Sequence, residues 1–301
     1  MTETVVQKRI VVKLLVYGAG VTGSLFSARL HEAGHDVSLL ARGERLAALR
    51  RHGVQLAAGD SPVVRRVPVP VVEHPAGGYD LTAVFVRTHQ VDAVLESLAG
   101  LEGDVLFLLN WAAGPEPLGA VTGHERVLLS FPTDAGTMDG DVVRYRPASF
   151  MTRRVPMPVG EPDGRATPRL ERIVRAFRTA GINAKAEPQM DAWLKTHAAF
   201  EVPLGQAVHV AGGPVALADN PDAVRGMIRL MRQNLAAMPT SPVPRGFVAS
   251  QTLPEGLLVA MLRRFLRSPT VAYSGLASAS PAATAELERL AEQMRAYARV
   301  R

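Results

Sequence analysis

The sequence predicts an α/β fold, a Rossmann-type doubly wound parallel sheet followed by a mainly α-helical C-terminal domain. Three observations carry this. Short apolar, β-branched runs alternate with helical patterns through the first half of the chain, the rhythm of a parallel sheet with crossover helices. A glycine-spaced turn, Gly18-Ala19-Gly20-Val21-Thr22-Gly23, stands between the first such run and the first helix. From about Glu187 the strand signals stop and long helical patterns take over.

Ile10 to Val16 reads as a buried strand and Ser24 to Ala33 as the helix after the turn, with Leu25, Phe26 and Leu30 on one face. In that setting Gly18 allows the tight turn, Gly20 admits a pyrophosphate to the backbone and Gly23 lets helix and strand pack closely. The helix N-terminus offers free N–H groups and a positive dipole end to phosphates. His35 to Leu40 is the second strand, ending at Ala41-Arg42-Gly43-Glu44-Arg45. An acid here, ~20 residues past the glycines, would favour NAD. Arg42, with Arg45 close behind, suits the 2′-phosphate of NADP instead.

Val67 to Val72 alternates with prolines and reads as an edge strand. Leu81–Val86, Val105–Leu109 and Arg126–Ser130 read as buried strands, with a helix over Val91–Leu98. Arg87 and Asn110 fall at carboxyl ends, where ligands of such sheets bind; spacing alone leaves a binding role and an ordinary loop role both open. Val142–Tyr145 and Ser149–Met151 read as short strands and Glu161–Gly164 as a turn. Thr167 is a candidate N-cap and Pro168 the first residue of a helix that runs to about Ala180 and ends at Gly181.

In the second half, Gln189 to Ala211 places Trp193, His197, Phe200, Leu204 and Val208 at helical spacing, and Pro203 is expected to kink or split that helix. Further helices are expected over Val224–Met238, Leu257–Leu266 and Ala282–Val300, with a break at the prolines of 239–244. The expected domains are 1–186, NADP-binding and Rossmann-like, and 187–301, helical, for substrate and catalysis.

Composition narrows the function. The 301 residues contain no cysteine, which excludes disulfides and thiolate metal sites, and no metal site is expected. No apolar run is long enough to span a bilayer and the first ten residues do not resemble a signal peptide, so a cytoplasmic protein with no membrane partner is expected. The formal charge is +6, yet the cations are dispersed and aromatics make up only 5%, so no nucleic-acid partner is expected. Of 34 basic residues four are lysine, Lys8, Lys13, Lys185 and Lys195. Arginine cannot give up a proton near neutral pH, whereas a partly buried lysine can, so a lysine in the second half invites a functional question.

An ordered set of motifs resembles the ketopantoate reductase family over most of the chain. Gly18 to Gly23 is similar to its phosphate loop and Leu40-Ala41-Arg42-Gly43 to its NADP-selecting segment. Val86-Arg87-Thr88-His89-Gln90 sits where the family has a lysine-led segment, with Arg87 in place of the lysine. Leu109-Asn110-Trp111 is similar to a Gln-Asn-Gly turn, Ala135 to Gly140 resembles a small-residue loop, and Trp193-Leu194-Lys195 resembles the start of the catalytic helix. The resemblance implies NADP as cofactor, with Gly18, Ala19, Gly20, Val21, Thr22, Gly23, Arg42, Arg87, Asn110 and Ala135 around it. It implies reduction of a small, anionic, 2-keto acid-like substrate to an alcohol, with Lys195 as the proton donor and Asn110 bridging cofactor and substrate. A homodimer is compatible with this reading. The alternatives are a true 2-dehydropantoate 2-reductase and a non-catalytic NADP(H)-sensing protein.

The chain departs from the family pattern in places that predict a changed substrate pocket. Ala199 and Pro203 stand where the family has asparagines, and no Asp or Glu occurs from Gly256 to Ala285, where the family has a late glutamate. Trp111 is expected to add bulk beside Asn110, and Arg263, Arg264 and Arg267 are the only charges of that late stretch. His197 and Glu201, on turns next to Lys195, can replace some of the lost polar contacts. Ketopantoate is therefore expected to be a poor substrate.

Overall fold

The computed structural model describes residues 11–147, 154–268, 271 and 280–298. The expected strand Ser149–Met151 and the last residues of the C-terminal helix lie outside them. The strands are β1 (Lys13–Tyr17), β2 (Asp36–Leu40), β3 (Val54–Ala58), β4 (Arg65–Val67), β5 (Val71–Val72), β6 (Leu81–Val84), β7 (Asp104–Leu108), β8 (Val127–Ser130), β9 (Gly136–Asp139), β10 (Val142–Tyr145), β11 (Met157–Gly160) and β12 (Ala184–Ala186). The helices are α1 (Val21–Glu32), α2 (Gly43–His52), α3 (Val91–Ala99), α4 (Glu116–Thr122), α5 (Pro168–Thr179), α6 (Met190–Ala211), α7 (Pro214–Asp219), α8 (Pro221–Ala236), α9 (Arg245–Ser250), α10 (Glu255–Leu266) and α11 (Pro281–Ala298).

Eight strands form the main sheet in the order β12-β11-β8-β7-β6-β1-β2-β5. β8, β7, β6, β1, β2 and β5 are mutually parallel, and β11 joins β8 antiparallel. Alternate residues of β1 explain the double winding. Leu14 and Val16 point into a cluster with Phe26 of α1 and Phe177 of α5, while Leu15 and Tyr17 point into one with Val91, Leu95 and Leu98 of α3 and Leu118 of α4. Both faces are apolar and both are covered, as a parallel sheet requires. The Thr167 hydroxyl accepts from the Leu170 N–H at the start of α5, and Gly181 just beyond it has φ +72°, as expected of an N-cap and a left-handed stop.

The sheet corrects two expectations. Val67–Val72 is not one strand: β4 lies in a second, four-stranded sheet, β4-β3-β10-β9, while β5 extends the edge of the main one. Pro68 and Pro70 stand between them, and the chain changes sheets there. The segment expected as a small-residue loop is the hairpin strand β9, paired antiparallel with β10 so that Gly136 faces Tyr145.

The helical half packs α6, α8, α10 and α11 around its own apolar cluster, which includes Ala199, Leu204, Ile228, Met231, Leu258 and Leu290. α6 runs unbroken through Pro203 for 22 residues, so the helix is not split. Its N-terminal turns belong to the sheet: Met190 and Leu194 pack beside Trp111 in the α3–α4 core.

Candidate functional site

The glycine turn has the geometry its spacing predicts. Gly18 has φ +112°, and a Cβ there would stand 2.3 Å from the Phe85 carbonyl oxygen. A Cβ on Gly23 would stand 1.9 Å from the Gly18 carbonyl oxygen, so neither position tolerates a side chain. Gly20 differs: nothing lies within 4 Å of its missing Cβ, and it caps α1, whose first turn carries no acid. A close-packed turn with open space over its middle glycine and the N-terminus of a 12-residue helix behind it fits a pyrophosphate. Val21 and Thr22 form the first turn of α1. Val21 packs against Gly136, which brings Ala135 beside that turn; the Ala135 carbonyl accepts from the Arg146 N–H at 2.8 Å.

Arg42 and Arg45 are used differently. Arg45 turns inward, donating to the Ala19 carbonyl at 3.2 Å, the Ser24 hydroxyl at 3.1 Å and the Asp141 carbonyl at 3.1 Å. It braces the phosphate turn, and burial pulls its pKa down against the opposing pull of Asp141. Arg42 caps α2 at the end of β2 and stays exposed, with its guanidinium 3.5 Å from the Tyr17 hydroxyl. Of the pair, Arg42 is the one open to a 2′-phosphate.

At the carboxyl ends of β6, β7 and β8 the side chains form a string. Arg87, after β6, donates to Glu286 of α11 at 2.7 Å. Asn110, after β7, accepts from the Thr88 hydroxyl through its carbonyl at 2.7 Å, while its buried side-chain Oδ1 has no partner among the described residues. Phe131, after β8, lies 4.1 Å from the His197 ring, which stacks on Trp193 at 5.3 Å. His197 Nε2 lies 3.8 Å from Glu201 Oε2 and makes no hydrogen bond. Burial pushes the His197 pKa down to about 4 and the Glu201 pKa up to about 7, the latter helped by repulsion from Glu286. The neighbouring strands run β8-β7-β6, so the string from Phe131 through His197, Glu201 and Glu286 to Arg87 spans the end of β7, where Asn110 sits.

Lys195 is buried, 9% exposed, and its Nζ donates to Asp191 at 2.5 Å. Both groups lie against Gly114, in the loop that follows Asn110: a Cβ there would be 3.8 Å from each. The same loop is held by α11, where Gln293 accepts from the Ala112 N–H at 2.8 Å, and by Trp111, whose indole N–H donates to the Gly114 carbonyl at 2.6 Å. Repulsion from Asp191 contributes to raising the Tyr297 pKa to about 12, after burial as the larger cause, and so ties the end of α11 to this pair.

Three expectations about the pocket change. Trp111 is 3% exposed and packs with Met190 and Leu194, so its bulk goes into the core and not into a ligand space. Ala199 is fully buried in the helical core and Pro203 is buried on the same helix, so α6 turns neither toward the strand ends; the half-buried α6 side chains there are Trp193, His197 and Glu201. A late acid is present after all: Glu286 follows directly on the stretch without Asp or Glu, and its partner Arg87 is 199 residues away, a contact no local pattern reveals. Arg263 and Arg267 bond instead to the Ala218 carbonyl at the end of α7. The i, i+4 spacing of Asp191 and Lys195 was a signal for their pairing.

The arrangement offers a phosphate cradle, an exposed arginine at the end of β2, an unpartnered buried amide oxygen at the end of β7, and on α6 a carboxyl group of raised pKa beside a neutral imidazole. That combination suits dinucleotide binding with proton transfer beside it. Among the described residues no cluster could hold a metal ion, and no helix is long and apolar enough to cross a membrane.

Comparison with known proteins agrees. Residues 14–148 match the sequence model of ketopantoate reductase PanE/ApbA. A 2-dehydropantoate 2-reductase of Archaeoglobus fulgidus is 29% identical over 176 residues, 58% of this chain and 55% of the relative, so the match spans little more than half of that protein. Among solved structures, a dimeric ketopantoate reductase from Staphylococcus aureus superposes with TM-score 0.68 at 13% identity, covering 96% of this chain and 92% of that one. A D-mandelate dehydrogenase with NADH and anilino(oxo)acetate superposes with TM-score 0.66 at 15% identity over 95% and 99%. At such identities these superpositions establish the shared fold, a Rossmann domain followed by a helical one. The sequence match, over a little less than half of the chain, and the shared fold make the chain similar to the ketopantoate reductase family at low identity.

Proposed function

We propose that the protein is an NADPH-dependent reductase of a carbonyl on a small, anionic, 2-keto acid-like substrate. The observation that carries the reading is Asn110: its amide oxygen is buried without a partner among the described residues at the end of β7, on the same edge of the parallel sheet as the phosphate turn after β1. A bound nicotinamide cofactor supplies the two electrons of the reduction. The chain's own residues hold it: Gly18 to Gly23 and the start of α1 take the pyrophosphate, Arg42 the 2′-phosphate, and Ala135 and Arg87 flank the path to Asn110. The Asn110 amide orients the carbonyl, and the Lys195 ammonium, behind the 110–114 loop, steadies charge on the forming alkoxide. We take residues 1–186 as the cofactor half and 187–301 as the substrate half, with a homodimer as the working assembly.

For the substrate we propose a bulkier, less polar acid than ketopantoate. Support comes from the wall made by Phe131, Trp193 and His197. The test is steady-state oxidation of NADPH with ketopantoate beside aromatic and branched 2-keto acids. A specificity constant of ~10⁴ M⁻¹s⁻¹ or more for a bulkier acid, and far less for ketopantoate, is expected. The reverse ranking assigns the family's own activity. Tight NADPH binding with no oxidation by any acid assigns a sensor.

A further inference from the structure

One face of the C-terminal helix α11 lies across the carboxyl ends of β6 and β7. Glu286 accepts from Arg87, after β6, at 2.7 Å. Arg289 donates to Asp92 of α3 at 2.8 Å, and Gln293 accepts from the Ala112 N–H, after β7, at 2.8 Å. Spacings of three and four residues put these three, and Tyr297 one turn further on, along a single stripe of the helix. The stripe is satisfied unevenly. Glu286 and Arg289 are held in ion pairs, whereas Gln293 Nε2 and the Tyr297 hydroxyl are buried with no hydrogen-bond partner among the described residues.

Gln293 is 6% exposed, and its orientation is fixed. A backbone N–H bonds only to the amide oxygen, so with Oε1 held at Ala112 the –NH2 end points the other way. Ala112 is two residues past Asn110, a separation of at most about 7 Å between Cα atoms, and Asn110 Oδ1 is itself unpartnered. The two groups left open on α11 are an amide –NH2 and a phenol. Burial, and then repulsion from Asp191, push the pKa of that phenol up to about 12, so it keeps its proton. Asp191 is in turn neutralised by the Lys195 ammonium. Neutral N–H and O–H donors are satisfied by a ligand group that only accepts hydrogen bonds and has several lone pairs, and a carboxylate is such a group. Resting on the reductase reading, we propose that Gln293 seats the carboxylate of the 2-keto acid, its –NH2 donating to a carboxylate oxygen beside the carbonyl that Asn110 orients. Tyr297 stands one turn away as a second donor. Gln293 then selects an acid over a neutral compound of the same shape, because only the acid brings a charged acceptor to its –NH2.

The test uses matched probes, phenylpyruvate and ketoisocaproate, each beside its methyl ester, with NADPH and the full chain. Wild type, Gln293→Glu and Gln293→Met are compared. Glutamate keeps an oxygen for the Ala112 N–H and puts a second carboxylate oxygen in place of the –NH2; methionine keeps the length and removes both groups. The quantity read is the ratio of kcat/KM for acid to that for ester, which a loosened loop or a partly unfolded preparation leaves unchanged. The ratio should fall ~10–100-fold in Gln293→Met and further in Gln293→Glu, mostly through KM, with NADPH affinity as in the wild type. An unchanged ratio in both variants overturns the proposal and leaves the reductase reading intact. An unchanged ratio with weakened NADPH binding also overturns it, and gives the amide to the nicotinamide instead. If no probe oxidises NADPH even with the wild type, the reductase reading fails by itself, and calorimetric titration of phenylpyruvate into the NADP⁺-loaded protein decides the carboxylate seat. Binding by the wild type that is lost in Gln293→Glu supports it; no binding by the wild type, or equal binding by both, overturns it.

Discussion

On one side of α6 the Asp191 carboxylate and the Lys195 ammonium are bonded to each other at 2.5 Å beside Gly114; on the other, His197 and Glu201 lie 3.8 Å apart without a hydrogen bond, and burial works against the charge of each. The first pair satisfies itself and the loop it leans on. The second leaves His197 Nε2 without a hydrogen-bond partner among the described residues, as the Asn110 amide oxygen is at the end of β7. A fold keeps such groups only where its surroundings hold them, and perturbed titrations of this kind concentrate at functional sites. One helix thus holds a self-neutralised ion pair on one side and two groups held against their charge on the other.

The largest effect should come from the matched pair. Lys195→Ala should lower turnover by ~10²–10³-fold with NADPH affinity unchanged, because the charge behind the Asn110 loop is gone. Steady-state kinetics with a parallel cofactor titration measures it, and turnover within twofold of wild type would reduce the Asp191–Lys195 pair to a structural brace. Arg42→Ala is next and should touch neither side of α6. Losing one charge-assisted contact should weaken NADPH binding by ~1.5–3 kcal/mol, leave NADH binding alone, and leave turnover at saturating cofactor unchanged. Equal affinities of the wild type for NADPH and NADH would remove the 2′-phosphate role from Arg42.

What the residues revealed in advance follows the same division. The glycine turn and strands β1, β2, β6, β7 and β8 were legible because continuous apolar runs and a spaced glycine motif are local signals. In the second sheet only β10, read as a short strand over Val142–Tyr145, was legible. β9 is Gly-Thr-Met-Asp with little burial, and β10 pairs in parallel with β3, about ninety residues earlier. β11 carries Pro158 and β12 is only Ala-Lys-Ala, so neither reads as a strand alone. On α6 the spacing placed Trp193 and His197 on one stripe, but whether a stripe meets the helical core or the strand ends depends on what packs against it. Ala199 and Trp111 were assigned to the ligand space on family resemblance, and tertiary packing put both in cores.

The unmatched side should also show in stability. Glu201 has its pKa raised in the folded state, so its contribution is fully present below the ordinary carboxylate value of about 4.5 and is lost as the pH rises through about 7. Glu201→Gln removes that loss. Relative to wild type it should gain roughly 2 kcal/mol on going from pH 5 to pH 8, with the shift discounted for partial exposure. Urea unfolding at the two pH values reads it, and a difference that does not change with pH would mean that Glu201 titrates normally.

His197 should give the smaller effect with the opposite sign. Its folded pKa is lowered to about 4, against the ordinary 6.5, so the unfolded chain binds the proton first and stability falls as the pH drops from 6.5 toward 4. In the wild type this loss overlaps the Glu201 gain over nearly the same range, and the two slopes largely cancel. His197→Gln removes one of them. The lost ring stacking on Trp193 and Phe131 lowers stability by an amount that does not depend on pH, so the quantity to read is the change in the difference from wild type between pH 8 and pH 5.5. There His197→Gln should recover about 1 kcal/mol toward acid, while Glu201→Gln, left with the histidine slope alone, should tilt the other way. Two variants tilting oppositely around a flat wild type would establish that imidazole and carboxyl are both held against their charge. A His197→Gln profile parallel to wild type between pH 4.5 and 6.5 would show that the imidazole ionises freely, and the contrast between the two sides of α6 would then rest on Glu201 alone.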